Sequence, residues 1–299
     1  MLAELPVHSV RDRVLLLRSM AALAPLDHSV LVLLAEHARL RTFEPGELLA
    51  EEGKPIELAH LVVEGNVYVT RRGKRVARVT RGYGVGFVAL LAGDEGGVRA
   101  EAEDRVQTLE VPSDALLNAF EENFALIRNG LRLQATALLE RRSNLPADPR
   151  NPPPVDIGTY RERGLTLVER IIANRQSPIF GRANIDAVGE LTRSNVEVRY
   201  EPGTVIWRIG DPATFFLRTD YGRIRCTNSD GEHVDIGTSF VLGALNCFST
   251  RPHAFEARAE TLVVAQRTSF ETFLAVLEAH PDLAMSLLGV LARSQLPAD

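Results

Sequence analysis

Apolar residues recur at helical spacing over Val10–Met20 and again over Asp27–Ala38, with Asp27 placed as the N-cap of the second helix. The period then changes. Short runs rich in valine and leucine follow at Glu47–Glu51, Ala59–Val63, Asn66–Arg71 and Lys74–Thr80, and Glu64-Gly65 and Arg72-Gly73 supply hairpin turns between them. Ile127, Leu131, Ala135 and Leu138 form a helical stripe after the strands. The same order then restarts, with helices over Thr166–Ala173 and Asn184–Leu191. Strands follow at Thr204–Arg208, Thr214–Thr219, Arg223–Asn228 and His233–Asp235, with Asp230-Gly231 as a turn, and the stripe is Leu283, Leu287 and Leu291. Strands this short and evenly spaced predict a mainly β fold with flanking α. The expected architecture is two tandem antiparallel β-rolls, jelly-roll-like, each framed by N- and C-terminal helices. Each closing stripe is expected to pack on its own roll; the other use of such a stripe is a homodimer seam.

The restart is a repeat in register. Phe43-Glu44-Pro45-Gly46-Glu47 returns 157 residues later as Tyr200-Glu201-Pro202-Gly203-Thr204. Gly53, Pro55, Gly65 and Gly86 return without a gap as Gly210, Pro212, Gly222 and Gly243. Glycine and proline fix turns and special backbone angles, so a repeat kept at these positions is a repeated backbone. Between the copies, Ser143–Pro154 holds five prolines, which exclude helix and interior strand. This run reads as a stiff, exposed linker. The expected organisation is a first domain at 1–142, a Pro-rich linker at 143–157 and a second domain at 158–299.

Composition narrows the function classes. The chain is 45% hydrophobic and 24% charged, the balance of an ordinary globular protein. A net charge of −5 argues against a protein whose task is to grip a phosphate backbone. Cys226 and Cys247 lack metal-ligand spacing and read as reduced core thiols of a cytoplasmic protein. The N-terminus lacks a signal-peptide pattern, and no apolar run is long enough to span a membrane. No nucleophile elbow, P-loop, zinc-protease or kinase signature appears and the histidines are scattered singly, so neither catalytic nor metal-ligating residues are assigned.

Helices, a Gly-punctuated roll and a closing amphipathic helix together resemble the cyclic-nucleotide-binding domain. The tandem arrangement resembles the regulatory subunit of cyclic-AMP-dependent protein kinase, and each copy is similar to the effector domain of the bacterial catabolite activator family. The resemblance rests on Phe43-x-Pro45-Gly46 with Gly53, on the Gly65/Gly222 turn, and on the segments after Gly86 and Gly243. It implies a phosphate-binding cassette. In such a cassette a short helix after the glycine points backbone N–H groups at a cyclic phosphate, an arginine adds a charge-assisted contact, and a glutamate accepts from the ribose 2′-OH.

Both cassettes depart from that pattern. The first reads Gly86-Phe87-Val88-Ala89, then Arg99-Ala100, with Phe87 where the glutamate belongs and a longer Gly93–Gly97 loop carrying Asp94 and Glu95. Arg99 reads either as a phosphate ligand or as a surface arginine beside a blocked pocket. The second reads Gly243-Ala244-Leu245, then Arg251-Pro252-His253-Ala254, with Ala244 for the glutamate and His253 at the arginine position. Arg251 reaches the same pocket if the segment is extended, since residues two apart then share a face; otherwise His253 reads as a surface or hydrogen-bonded residue. Trp207, the sole tryptophan, reads as core. A helix-turn-helix has no room after the last stripe, so no DNA partner is expected.

The function expected is that of a non-catalytic regulatory protein with two degenerate cyclic-nucleotide-binding-type domains. It acts through an unidentified protein partner, with cAMP or cGMP as ligands to test in the first pocket and no resident cofactor. The alternatives are a ligand-free interaction scaffold and a sensor of another phosphorylated ligand such as a cyclic dinucleotide.

Overall fold

The computed structural model describes residues 9–20, 23–94, 96–158, 165–176, 180 and 183–296. The extreme N-terminus, read above for a signal peptide, and Glu95 of the cassette loop lie outside them. The chain divides into two compact units, Met1–Gly130 with Leu288–Asp299, and Leu131–Leu287.

In the first unit, α1 (Val10–Arg18) and α2 (His28–His37) precede β1 (Arg39–Phe43), β2 (Leu48–Ala50), β3 (Leu58–Glu64), β4 (Val67–Arg71), β5 (Lys74–Val79) and β6 (Gly84–Val85). Then come α3 (Phe87–Ala92), β7 (Arg99–Ala102), β8 (Val106–Pro112), α4 (Ser113–Glu122) and α5 (Phe124–Arg141), which begins here. A capping box starts α1, where Ser9 Oγ accepts from Asp12 N–H and Asp12 accepts in return from Ser9 N–H. Two antiparallel sheets, ordered β1-β8-β3-β6 and β2-β7-β4-β5, face each other. Alternation sends Phe43, Val62, Val67, Val85, Ala100 and Val106 into the shared core.

The second unit repeats this plan. It runs α6 (Leu167–Arg175), α7 (Ile185–Ser194), β9 (Val196–Tyr200), β10 (Val205–Trp207), β11 (Phe215–Tyr221), β12 (Ile224–Asn228), β13 (His233–Ile236) and β14 (Val241–Leu242). It continues with α8 (Ala244–Ser249), β15 (Phe255–Ala259), β16 (Val263–Ser269), α9 (Phe270–Ala279) and α10 (Pro281–Arg293). The sheets are β9-β16-β11-β14 and β10-β15-β12-β13. The registers repeat with the sequence: Arg39 opposite Glu110 becomes Val196 opposite Arg267, and Val67 opposite Ala102 becomes Ile224 opposite Ala259. The capping box returns as Thr166 and Glu169. Only the β4–β5 hairpin differs, with a register shift at Val69/Thr70 that β12–β13 lacks.

One turn explains why glycine is kept in both copies. Gly65 and Gly222 sit at φ +84° and +95°, and a Cβ at either would strike a backbone carbonyl, Arg105 in the first unit and Leu262 in the second.

Two expectations are corrected and two gain detail. The Pro-rich run is not exposed along its whole length: Leu145 is fully buried in the second unit's core, and Asn228 Nδ2 donates to the Ser143 carbonyl at 2.9 Å. Asp27 is the N-cap of α2, as its place in the sequence predicts, and makes no side-chain cap bond. The closing stripes are buried, but the division between units falls inside both closing helices. Leu131, Ala135 and Leu138 therefore belong to the second unit and Leu291 to the first. β1, β6, β7 and β8 and their repeats join the strands read from the sequence; four of the five residues of β1 are exposed and two of them are arginines, which hides its period.

Cys226 and Cys247 are free and buried. Burial pushes the Cys247 thiol up to about 12 and Cys226 well above its ordinary range, so both are inert core thiols. No single described helix is long and apolar enough to cross a membrane.

Candidate functional site

The cassette turn of the first unit is intact in its backbone. Gly86 lies at φ +88°, and a Cβ there would come within 2.9 Å of Ile56 Cγ2. Its carbonyl accepts from Leu90 N–H at 2.8 Å, which opens α3, and Gly93 at φ +64° closes it. Val88 is half-buried and Ala89 buried.

Phe87 folds back so that its ring lies on the α-carbon of Gly84, filling the space a side chain there would need. The second unit exchanges the volumes, with Val241 for Gly84 and Ala244 for Phe87. Gly84→Val alone is therefore expected to cost about 1–3 kcal/mol by overpacking, and Gly84→Val with Phe87→Ala to recover most of it. A double-mutant cycle by urea denaturation checks this; additivity of the two changes would disprove the packing account.

Arg99 does not point into the roll. It opens β7 on the face opposite buried Ala100, is 48% exposed, and donates to Glu101 Oε2 at 2.6 Å. An exposed pair of this kind contributes little to stability. Arg71 is the guanidinium that the first unit draws inward. It shares the face of Val67 and Val69 on β4 and donates to both carboxylate oxygens of Asp94, at 2.6 and 3.3 Å. The strand period carried this signal: an arginine stands at the third inward position of an alternating run.

Beside the cassette lies a cavity of about 380 Å³ lined by Leu48, Ala50, Lys54, Ile56, Glu57 and Leu58 among others. The cassette loop is tied to the segment that carries the lining residues, where Gly53 N–H donates to the Gly96 carbonyl at 2.8 Å. Gly97 sits so close that a Cβ would be 2.7 Å from the Lys54 carbonyl.

The second unit fills the corresponding region from within. Trp207 stands where the first unit has Ala50, and His253 where it has Gly96. The two rings stack, with centroids 4.1 Å apart and planes 10° from parallel. Both press on Gly243, at φ +91°, where a Cβ would lie 3.2 Å from Trp207 Cη2 and 3.5 Å from His253 Cε1. His253 is 1% exposed and neither ring nitrogen has a hydrogen-bond partner. Burial lowers its pKa to about 4 although the Asp211 charge pulls the other way.

The surface and hydrogen-bonded readings of His253 are thus corrected. So is the shared face with Arg251: residues 251–254 are not strand, and Arg251 turns outward, 54% exposed, to Glu140 at 3.0 Å. Gly243 is buried, while Ala244, Leu245 and Ala254 are half-buried beside the filled region.

The sequence pattern of the cyclic nucleotide-binding domain family matches residues 40–123. The first unit carries a cyclic nucleotide-binding domain. The matched stretch runs from β1 through the cassette to the end of α4, and the second unit repeats this domain's strands, registers and cassette turn. Among solved structures, the chain is similar to a mutant regulatory subunit of a cAMP-independent protein kinase A from Trypanosoma brucei bound to cAMP. That match has 15% identity and a TM-score of 0.36, covering 96% of this chain and 92% of that one. It is similar to the regulatory domain of Toxoplasma gondii protein kinase A with cAMP, at 15% identity and TM-score 0.36, covering 95% and 97%. It is also similar to the sensor domain of the transcriptional regulator DNR from Pseudomonas aeruginosa, at 19% identity and TM-score 0.39, covering 43% and 89%. No curated protein matches the chain.

Proposed function

We propose that this is a non-catalytic regulatory protein in which the first cyclic nucleotide-binding domain responds to a ligand and the second serves as a ligand-free scaffold. The output is a protein–protein interaction. One contrast carries the reading. The first unit keeps the cassette turn at Gly86 beside a cavity of about 380 Å³, whereas Trp207 and His253 occupy the matching region of the second. With Phe87 in place of the ribose acid, an ordinary cyclic nucleotide loses a charge-assisted bond of about 1.5–3 kcal/mol, one to two orders of magnitude in affinity. Weak binding is expected, and in the first unit alone.

Calorimetric titration of cAMP and cGMP into the whole protein tests this. One equivalent at micromolar to millimolar affinity is expected, lost in Ala50→Trp, which installs the residue that the second roll already accommodates. No heat and no thermal shift at millimolar nucleotide would remove ligand sensing by these two and leave the scaffold reading for both units.

A further inference from the structure

We propose that Arg71 is the anion-binding side chain of the first unit and that Asp94 is its resident internal anion, displaced when a phosphate-bearing ligand enters. The inference rests on the reading of the first unit as the ligand-responsive one.

The two side chains are only 11% and 15% exposed, and the carboxylate meets the guanidinium through both oxygens. A phosphate presents a guanidinium with the same paired oxygens. The pair is not needed to build the roll. At the matching positions the second unit has Asn228 and Arg251, with no such pair, yet its strands, sheet orders and cassette turn are the same. The pair stands in the unit that has the cavity at Leu48–Leu58, and is absent where Trp207 and His253 occupy the matching region.

The placement is suited to exchange. Asp94 follows Gly93, the cap of the cassette helix, and precedes Gly96 and Gly97, which lie against Gly53 and the cavity-lining Lys54. Arg72 N–H, next to Arg71, donates to Glu52, which lies in the chain between the cavity-lining Glu51 and Lys54. A ligand that takes Arg71 therefore releases Asp94, the carboxylate held just after the cassette helix. Arg99, paired outward with Glu101, has no part in this exchange.

The test titrates cAMP and, separately, inorganic phosphate into wild type, Asp94→Asn, Arg71→Gln and Arg99→Gln by calorimetry. Removing the internal competitor in Asp94→Asn is expected to tighten cAMP binding at least tenfold over wild type. Arg71→Gln is expected to abolish binding, and Arg99→Gln to bind as wild type. Phosphate binding to Asp94→Asn shows that the anion alone is recognised; binding of cAMP only shows that the nucleoside is needed as well, and either supports the exchange.

If wild type binds cAMP and Arg71→Gln binds it equally, this inference falls and the sensor reading stands. If neither probe binds wild type or Asp94→Asn, both fall. Should Asp94→Asn not fold, the double variant Arg71→Gln/Asp94→Asn, uncharged at Arg71 as the second unit is at Asn228, takes its place. It is expected to fold and bind nothing, and wild-type affinity in it would overturn the proposal.

Discussion

Trp207→Ala is expected to destabilise the second unit by about 3–5 kcal/mol, the range for removing a buried tryptophan. The indole is packed on all sides: His253 stacks on it, and Phe215 and Phe255 meet it at centroid distances of 5.7 and 5.8 Å. Deleting it also leaves His253 with an apolar void on one face and no new partner for its nitrogens. A loss of this size lowers the unit's Tm by roughly 10 °C. Circular dichroism during urea unfolding reads it, since the variant has no tryptophan to report by fluorescence. The cassette turn of the first unit has no equivalent ring, and its transition is expected to stay where it is. A change below about 1 kcal/mol would show that the aromatic cluster is loosely packed and the filled-pocket account is wrong.

The contrast behind that prediction was half visible in the sequence. Glycines and prolines repeating at one spacing identified the two rolls, because glycine marks left-handed angles that other residues take only with strain and proline fixes φ and removes a donor. The same spacing sets Trp207 against Ala50 and His253 against Gly96, but what those exchanges do depends on two loops meeting in space. Counting forward from Gly86 led to Arg99 as the cassette cation. Counting by twos along the strands leads elsewhere, since Arg99 alternates with buried Ala100 and so faces out, while Arg71 follows Val67 and Val69 and faces in. The Pro-rich run misled for a related reason. Prolines forbid regular structure but say nothing of burial, and Leu145 among them was the sign of an anchor.

Lowering the pH from 7 towards 4 is expected to destabilise both units, through one buried imidazole in each. His60 lies on β3 between Phe43, Thr108 and Glu110, and burial, aided by the Arg41 charge, lowers its pKa to about 4 against the pull of the hydrogen bond that the imidazole donates to the Leu49 backbone carbonyl. His253 reaches the same value by burial against Trp207. In the unfolded chain both return to about 6.5. Each group binds its proton less readily when folded, so the stability it contributes is complete above pH 6.5 and is lost as pH falls from there to about 4. Within that window the unfolded state holds one more proton per histidine, a slope of about 1.4 kcal/mol per pH unit, or on the order of 3 kcal/mol for each over the whole range. His253→Phe separates this from the titration of surface carboxylates: it keeps a flat ring on Trp207 and removes two unpartnered nitrogens. The variant is expected to be at least as stable as wild type at pH 7, and the second unit's urea midpoint to lose about one proton's worth of slope between pH 6.5 and 4. An unchanged slope would mean that His253 is protonated in the folded protein, and hence that solvent or a counter-charge reaches the stacked pair.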